Sequence, residues 1–289
     1  MTNARFENKP ALVVLILGLI IGIPIGLKSS LSIATHSPEG LIKGIPIALA
    51  YIAVVYLIVR ISPAWPGRPL WWVFAAFLWG AGSASIFVTL AGKYLMQLMR
   101  QLQLPEFGAS LAGALPEEVG KALGVFLILL VAKQMNRPWH GLIVGVMVGL
   151  GFAALENLGY GIAGGLIHPV SDMDGALETW IQRTKFGPAL HCVYTGIAGW
   201  GIAKAMFTSG WSRGKRIGVA LAWLLLSFLL HFAWNSAPEN IYINLLKMVV
   251  TAIISYGLFI VLYVRGWKQA KRQRSASQPA TPTEPSTQA

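Results

Sequence analysis

Six ionisable side chains and two asparagines interrupt stretches of sequence that are otherwise strongly apolar. They fall within four consecutive apolar segments, where each ionisable group costs roughly 2.5–3.5 kcal/mol to insert into a membrane. The eight residues are Glu117, Glu118, Lys121, Glu156, Asn157, His191, His231 and Asn235. Groups kept at that cost mark a functional interior by default. Their concentration therefore indicates one polar site shared by four helices.

A Glu-Glu-x-x-Lys sequence lies in the first of these segments. Lys121 follows Glu117 by four residues and Glu118 by three, so on a helix its ammonium group can pair with either carboxylate. Two adjacent carboxylates in a medium of low dielectric cannot both ionise freely, so one is expected to hold a proton more readily. Such a group can act as a general acid or base near neutral pH. The alternative is a structural ion pair that joins helices.

The next three segments repeat polar residues at helical spacing. Glu156 shares a helical face with Phe152, and His231 shares one with Asn235, each pair being four residues apart. At 1.5 Å per residue, the glutamates at 117 and 156 and the histidines at 191 and 231 lie about 12, 15, 9 and 6 Å from the same side of the bilayer. This agreement in depth supports a single shared site.

Two glutamates and two histidines facing one cavity suit two kinds of hydrolysis. They can hold a divalent metal such as zinc, with a water molecule in the open position. Alternatively, a glutamate can activate water directly while histidine and asparagine stabilise the oxyanion. The residues themselves leave both mechanisms open. Cys192 is a poor candidate nucleophile, because adjacent side chains on a helix do not face each other and its neighbour is His191.

The elements that must position these groups are membrane-spanning helices. Only 12% of the 289 residues are charged and 55% are hydrophobic, which excludes a soluble enzyme. We predict an all-α, polytopic membrane protein of about eight helices with a four-helix catalytic core. The predicted spans are Ala11–Leu27, Ile45–Ile61, Leu70–Ala91, Ala109–Ala132, Trp139–Leu166, Lys185–Phe207, Ile217–Asn235 and Ile243–Val264. The single cysteine excludes an intramolecular disulfide framework.

The net charge of +12 comes mainly from basic residues that flank these spans. With a cytoplasmic N-terminus, 15 of the 23 Lys and Arg residues lie on the cytoplasmic side, 7 lie outside and Lys121 lies within a span. We therefore expect a multi-pass protein of the plasma or inner membrane with both termini in the cytoplasm. The flanking charge suits the lipid bilayer and not nucleic acid. Residues 1–265 form the expected membrane domain, and residues 266–289 a basic, disordered cytoplasmic tail.

At the polar residues the chain resembles the PrsW family of intramembrane proteases, relatives of the CAAX-prenyl-protease and bacteriocin-processing (CPBP/Abi) superfamily. The resemblance covers about residues 109–235 and rests on four short motifs in the expected order. These are Glu117-Glu118-Val119-Gly120-Lys121, Phe152-x-x-x-Glu156 with Asn157, His191, and His231-x-x-x-Asn235.

The resemblance implies an endopeptidase that cuts membrane-anchored protein substrates near the extracytoplasmic side, as in the regulated proteolysis of anti-sigma factors. By carry-over, Glu117 is the general base, and Glu118 and Lys121 tune it. The resemblance also implies that the metal or water site, with Zn²⁺ as the candidate ion, is completed by Glu156, His191 and His231. Asn235 then supports the oxyanion. The substrate and the oligomeric state stay open.

Two other classes of protein use intramembrane Glu and His residues. A proton-coupled transporter would distribute them across the whole membrane and would often show an internal repeat, and neither feature is evident. A non-catalytic scaffold on the same fold would have lost some positions of the motif set, whereas all of them are occupied here.

Overall fold

The computed structural model describes residues 8–276, and this part of the chain is helical and contains no β-strand. Ten α-helices follow one another along it. They are α1 (Lys9–Ala34), α2 (Pro38–Arg60), α3 (Trp71–Leu78), α4 (Ala84–Gln101), α5 (Gly108–Val131), α6 (Pro138–Ile167), α7 (Asp172–Phe186), α8 (Leu190–Phe207), α9 (Arg213–Asn235) and α10 (Ile241–Ala276). The all-α prediction is therefore confirmed.

Helix α6 forms the centre of the bundle, and most of its length is buried against its neighbours. A row of glycines at four-residue spacing brings α6 against α8, because small residues let helix backbones approach closely. A Cβ atom at Gly145 would lie 2.2 Å from the carbonyl oxygen of Thr195, and one at Gly149 would lie 2.3 Å from that of His191. This row fixes the depth of His191 relative to the polar residues of α6.

Helices α3 and α4 form one continuous helix, Trp71–Gln101, joined by a π-helical turn at Trp79–Ser83. Such turns insert one extra residue into an α-helix. The indole nitrogen of Trp79 donates to the carbonyl oxygen of Gly120 on α5 at 2.9 Å. The hydroxyl of Ser83 donates to the carbonyl oxygen of Gly18 on α1 at 2.8 Å. The turn thereby fastens this helix to both neighbours.

The outer faces of the bundle are apolar, as a bilayer requires. On α10, for example, Leu246, Ile253 and Ile260 recur at seven-residue spacing and are 57–67% exposed. Within residues 8–276, six helices are long and apolar enough to cross a membrane: α1, α2, the continuous α3–α4 helix, α6, α9 and α10. The other two predicted spans form α5 and α8, which carry part of the polar site. The total of eight spans stays a prediction.

Two boundaries differ from the sequence prediction. The predicted sixth span begins at Lys185, but Lys185 belongs to the separate helix α7, and α8 begins at Leu190. The helix breaks after Phe186 because Gly187 and Pro188 intervene and Ala189 adopts a left-handed backbone with φ of 56°. His191 therefore lies in the first turn of its helix, much closer to the helix end than the predicted 9 Å.

The C-terminal boundary also differs, because α10 continues to Ala276. Residues 266–276 are therefore helical, whereas the sequence predicted a disordered tail from residue 266. Lys and Arg are good helix formers, and a Cβ at Gly266 would lie 2.7 Å from the side chain of Trp139, so this stretch still packs on α6. The rest of the predicted tail, residues 277–289, lies outside the described residues.

Candidate functional site

The polar residues of four helices meet at one end of the bundle, here called the site end. It is formed by the beginnings of α5 and α8 and the ends of α6 and α9, which run in alternating directions. All seven predicted site residues line or contact one cluster there. Pro116 precedes the cluster on α5, and because proline lacks an N–H it leaves the carbonyl of Ala112 without its helical donor.

Lys121 is the central cation of the cluster and is completely buried. Its Nζ lies 2.6 Å from Oε1 of Glu118 and 3.6 Å from Oε2 of Glu117, so it pairs with both carboxylates of its own helix. It also lies 3.1 Å from Nδ1 of His191 and 4.6 Å from the ring centre of Phe152. One ammonium group thus joins α5, α6 and α8.

Each histidine has one nitrogen bonded to a carboxylate. Nε2 of His191 lies 2.8 Å from Oε2 of Glu156, and Nδ1 of His231 lies 2.9 Å from Oε1 of Glu118. An ionised carboxylate only accepts hydrogen bonds, so these nitrogens carry the protons. The opposite nitrogens, Nδ1 of His191 and Nε2 of His231, then hold their lone pairs toward Glu117. They accept from Lys121 and from Nδ2 of Asn235, each at 3.1 Å.

Glu117 differs from the other acids of the cluster. It is 7% exposed, and its buried Oε2 has no hydrogen-bond partner. That oxygen lies 3.9 Å from Nδ1 of His191 and 3.8 Å from Nε2 of His231. A buried polar atom without a partner is rare and points to a bound molecule or a catalytic role. Glu117 therefore has an ion-pair partner in Lys121 but an oxygen whose hydrogen-bonding capacity is unused.

Glu156 has a second partner that the sequence prediction did not include. Arg183 of α7 donates to Oε2 of Glu156 and to Oδ1 of Asn157, both at 2.5 Å, and its guanidinium lies 4.0 Å above the ring of Tyr160. The arginine thus ties α7 to the end of α6. Sequence reading assigned Arg183 to an external loop, where a basic residue carries no specific signal.

Two further residues of the site were also missed. Ser227 is completely buried, and its hydroxyl lies 2.8 Å from Oε2 of Glu118 and 2.8 Å from the carbonyl oxygen of Tyr194. The ring of Tyr194 stacks on His231 at 5.1 Å between centres. Ser227 precedes His231 by four residues, so the spacing could have revealed it. Nothing in the sequence distinguished Tyr194.

A cavity of about 470 Å³ connects the cluster to the site end. Its walls come from α2 and from α5 to α9, and they include Glu117, Glu156, Asn157, Arg183, His191, Tyr194, His231 and Asn235. Its volume is within the range of small-molecule sites. The cavity therefore brings open space from this end of the bundle up to the side chain of Glu117.

The donor set fits a metal ion. One ligand atom from each of Glu117, His191 and His231 lies within 4.8 Å of the others, and both histidines have the carboxylate partner on their opposite nitrogen that is typical of metal ligands. The sequence prediction had Glu156 as the carboxylate of this set. In the structure Glu156 contacts His191 from the other side, and Glu117 completes the close group. An ion here would replace the hydrogen bonds from Lys121 and Asn235.

The fold and the site together define a multi-pass membrane protein with a cluster of ionisable groups inside its helix bundle. A family model described as "PrsW family intramembrane metalloprotease" matches residues 68–264. The chain therefore belongs to the PrsW family. The broader relationship to the CPBP/Abi superfamily stays a prediction.

Three curated bacterial proteins, each named Protease PrsW, are similar to this chain. The one from Geobacillus kaustophilus (strain HTA426) is 28% identical over 192 residues, which is 66% of this chain and 76% of the relative. The one from Shouchella clausii (strain KSM-K16) is 29% identical over 158 residues, 55% of this chain and 64% of the relative. The one from Oceanobacillus iheyensis is 25% identical over 192 residues, 66% and 79% respectively. No solved structure gives a significant match.

Proposed function

We propose that this protein is an intramembrane endopeptidase that hydrolyses peptide bonds of membrane-anchored proteins with a water molecule activated by Glu117. The observation that carries the proposal is the buried Oε2 of Glu117, which has no hydrogen-bond partner at a cavity of about 470 Å³. The named activity of the three relatives supports the same reaction.

The cluster supplies the parts that peptide hydrolysis needs. Glu117 accepts a proton from water and later delivers it to the leaving amine. Lys121 lies beside that carboxylate and offsets its charge, and Glu118 holds Lys121 in place through its own ion pair with the ammonium group. In this proposal the amide of Asn235, which donates to His231 in this structure, stabilises the developing oxyanion.

A metal ion held by Glu117, His191 and His231 would polarise the scissile carbonyl and lower the pKa of bound water. Glu156 and Glu118 would then orient the two histidines through their protonated nitrogens. The predicted ligand role of Glu156 stays a prediction. Both versions of the proposal use the same cluster and differ in whether the carboxylate or the ion activates water.

The charge distribution supports an orientation for the cut. With 15 of 23 basic residues on the cytoplasmic side, both termini are cytoplasmic and the site end faces outward. The cut then falls near the extracytoplasmic side of the plasma or inner membrane. A role in regulated proteolysis, such as anti-sigma factor processing, agrees with this orientation.

A single substitution tests the proposal. Glu117→Gln keeps the size of the side chain but removes the base, so we expect cleavage to fall by about 10²-fold or more while the protein still inserts and folds. The assay is purified protein in nanodiscs with a library of single-span substrates, with folding checked by thermal unfolding. Full activity of Glu117→Gln would remove Glu117 from the mechanism.

Metal content, measured on the same samples and on His231→Ala, separates the two versions. Stoichiometric zinc that is lost with His231, together with cleavage that a chelator stops, supports the metal version. Cleavage by metal-free protein that a chelator does not affect supports direct activation of water by Glu117.

A further inference from the structure

The end of the bundle opposite the site end is basic. It is formed by the ends of α5 and α8 and the beginnings of α6 and α9, and is here called the basic end. Within residues 8–276, every Asp and Glu lies in the polar cluster or on the segments at the site end. The connection between α8 and α9 therefore carries positive charge that no carboxylate of the described chain offsets. Its basic residues are Lys204, Arg213, Lys215 and Arg216.

Arg216 is held in a fixed position at this connection. Its guanidinium donates at 2.5–3.2 Å to four backbone carbonyl oxygens, those of Ala205, Met206, Thr208 and Trp211. Carbonyl groups accept these hydrogen bonds but do not neutralise the charge. Because a guanidinium has five N–H donors, one donor is left over.

Trp211 brings two lysines to the same place. Nζ of Lys215 lies 4.8 Å from the centre of the Trp211 ring, and Nζ of Lys204 lies 6.0 Å from it. These are cation–π distances. Tryptophan is the residue that membrane proteins place at the level of the lipid headgroups. The connection thus presents a cluster of cations at the depth where headgroups lie.

An apolar groove leads from this cluster along the side of the bundle. It runs between α5, α8 and α9 and is here called the α5–α9 groove; its two adjoining halves share Val119, Leu221 and Leu224. Apart from Arg216 at one end and the buried Glu118 at the other, its lining is apolar. Leu221 is 58% exposed, so the groove opens toward the bilayer.

The length of the groove indicates what lies in it. On α9 the lining runs from Arg216 to Phe228, a distance of about 18 Å at 1.5 Å per residue. The hydrocarbon core of a bilayer is about 30 Å thick, so the groove is about one leaflet deep. A partner helix would cross both leaflets, whereas the acyl chain of a lipid ends within one.

We propose that the α5–α9 groove and the cations at its entrance bind a phospholipid with a negatively charged headgroup. An acyl chain lies in the groove, and the phosphate meets Lys204, Lys215 and the remaining donor of Arg216. Basic pockets between membrane helices bind anionic headgroups in this way. The inference does not depend on the proposed hydrolysis, because no residue of the basic end belongs to the polar cluster.

The headgroup half of the site is tested with the purified full-length protein in detergent. Phosphatidylglycerol, or phosphatidylcholine with identical chains, is added, and native mass spectrometry counts the lipids retained. We expect one phosphatidylglycerol to bind about tenfold or more tightly than phosphatidylcholine. Lys204→Gln/Lys215→Gln should weaken phosphatidylglycerol binding by about tenfold or more. Lys268→Gln/Lys271→Gln removes the same charge from α10, which does not line the groove, and should stay within about twofold.

The chain half of the site is tested by filling the groove. Ala220 lines it, so the ring of Ala220→Phe occupies the space of the acyl chain and should weaken phosphatidylglycerol binding by about tenfold. Gly218→Phe is the control on the same helix, because a Cβ there meets no atom within 4 Å and Gly218 does not line the groove. Thermal unfolding shows whether both variants are folded.

Three results would overturn the proposal. The first is equal binding of the two lipids by the wild type. The second is an equal loss of binding in the α8–α9 and α10 lysine variants, which would show attraction to surface charge alone. The third is a dimer without bound lipid that dissociates on Ala220→Phe, which would assign the groove to a second copy of the chain.

Discussion

Lys121 is the residue on which the stability of the buried cluster most depends. It is completely buried and is the cation nearest to Glu118, at 2.6 Å, and to Glu117, at 3.6 Å. At an effective dielectric constant of about 20, these two attractions amount to about 6 and 5 kcal/mol before the cost of desolvating the charges. Lys121→Met removes both and leaves two carboxylates facing each other inside the bundle.

Breaking a buried ion pair from one side destabilises a protein by about 3–5 kcal/mol. For a chain of this size, that corresponds to a fall of roughly 6–20 °C in the unfolding temperature. The assay is thermal unfolding of purified protein in one detergent. Lys268→Met, an exposed lysine of α10, is the matched control and should change stability by less than about 0.5 kcal/mol.

A double-mutant cycle isolates the charge effect from the loss of packing. In Lys121→Met/Glu118→Gln one charge of each sign is removed, so the double variant should be more stable than the sum of the single changes predicts, by roughly 0.5–3 kcal/mol. Additive effects, or a Lys121→Met protein as stable as Lys268→Met, would refute the reasoning that Lys121 balances the charge of the cluster.

Two more substitutions test the parts that hold the site. Ser227→Ala removes a buried hydroxyl that donates to Glu118 at 2.8 Å. It should therefore destabilise the protein by about 1.5–3 kcal/mol and lower cleavage. A neutral effect in thermal unfolding would contradict this role. Gly145→Ala places a Cβ 2.2 Å from the carbonyl oxygen of Thr195 and should lower the free energy of unfolding by about 1–3 kcal/mol. Gly159→Ala is the control and should cost nothing, because a Cβ there meets no atom within 4 Å. Similar unfolding temperatures for the two variants would argue against the close α6–α8 contact.

The helices and the composition of the site follow from the sequence because both depend on residue type and spacing. Apolar runs of about 20 residues predict membrane spans, and charges inside them stand out against that background. Spacings of three and four residues correctly place Lys121 beside both carboxylates of α5. The common depth of Glu117 and His231 follows in the same way from counting residues along alternating helices.

The contacts between helices do not follow from spacing, because they depend on how each helix is rotated about its axis. The sequence grouped Glu156 with the two histidines as metal ligands, which stays a prediction, but it did not show that Glu117 also lies close to both histidines or that Glu156 bonds Nε2 of His191. Arg183 was missed because it comes from a helix that the sequence assigned to a loop.

The π-helical turn at Trp79–Ser83 sets the angular phase of everything that follows it in the same helix. One residue corresponds to a rotation of about 100° around an α-helix axis. Ser85 and Thr89, which follow the turn, line a groove of about 380 Å³ between α1, the α3–α4 helix and α6. Deleting a single residue from the turn would leave both the composition and the length of the span nearly unchanged. It would nevertheless rotate α4 relative to α3 and present a different set of side chains to the groove, so the wall is encoded by a residue count as much as by residue types.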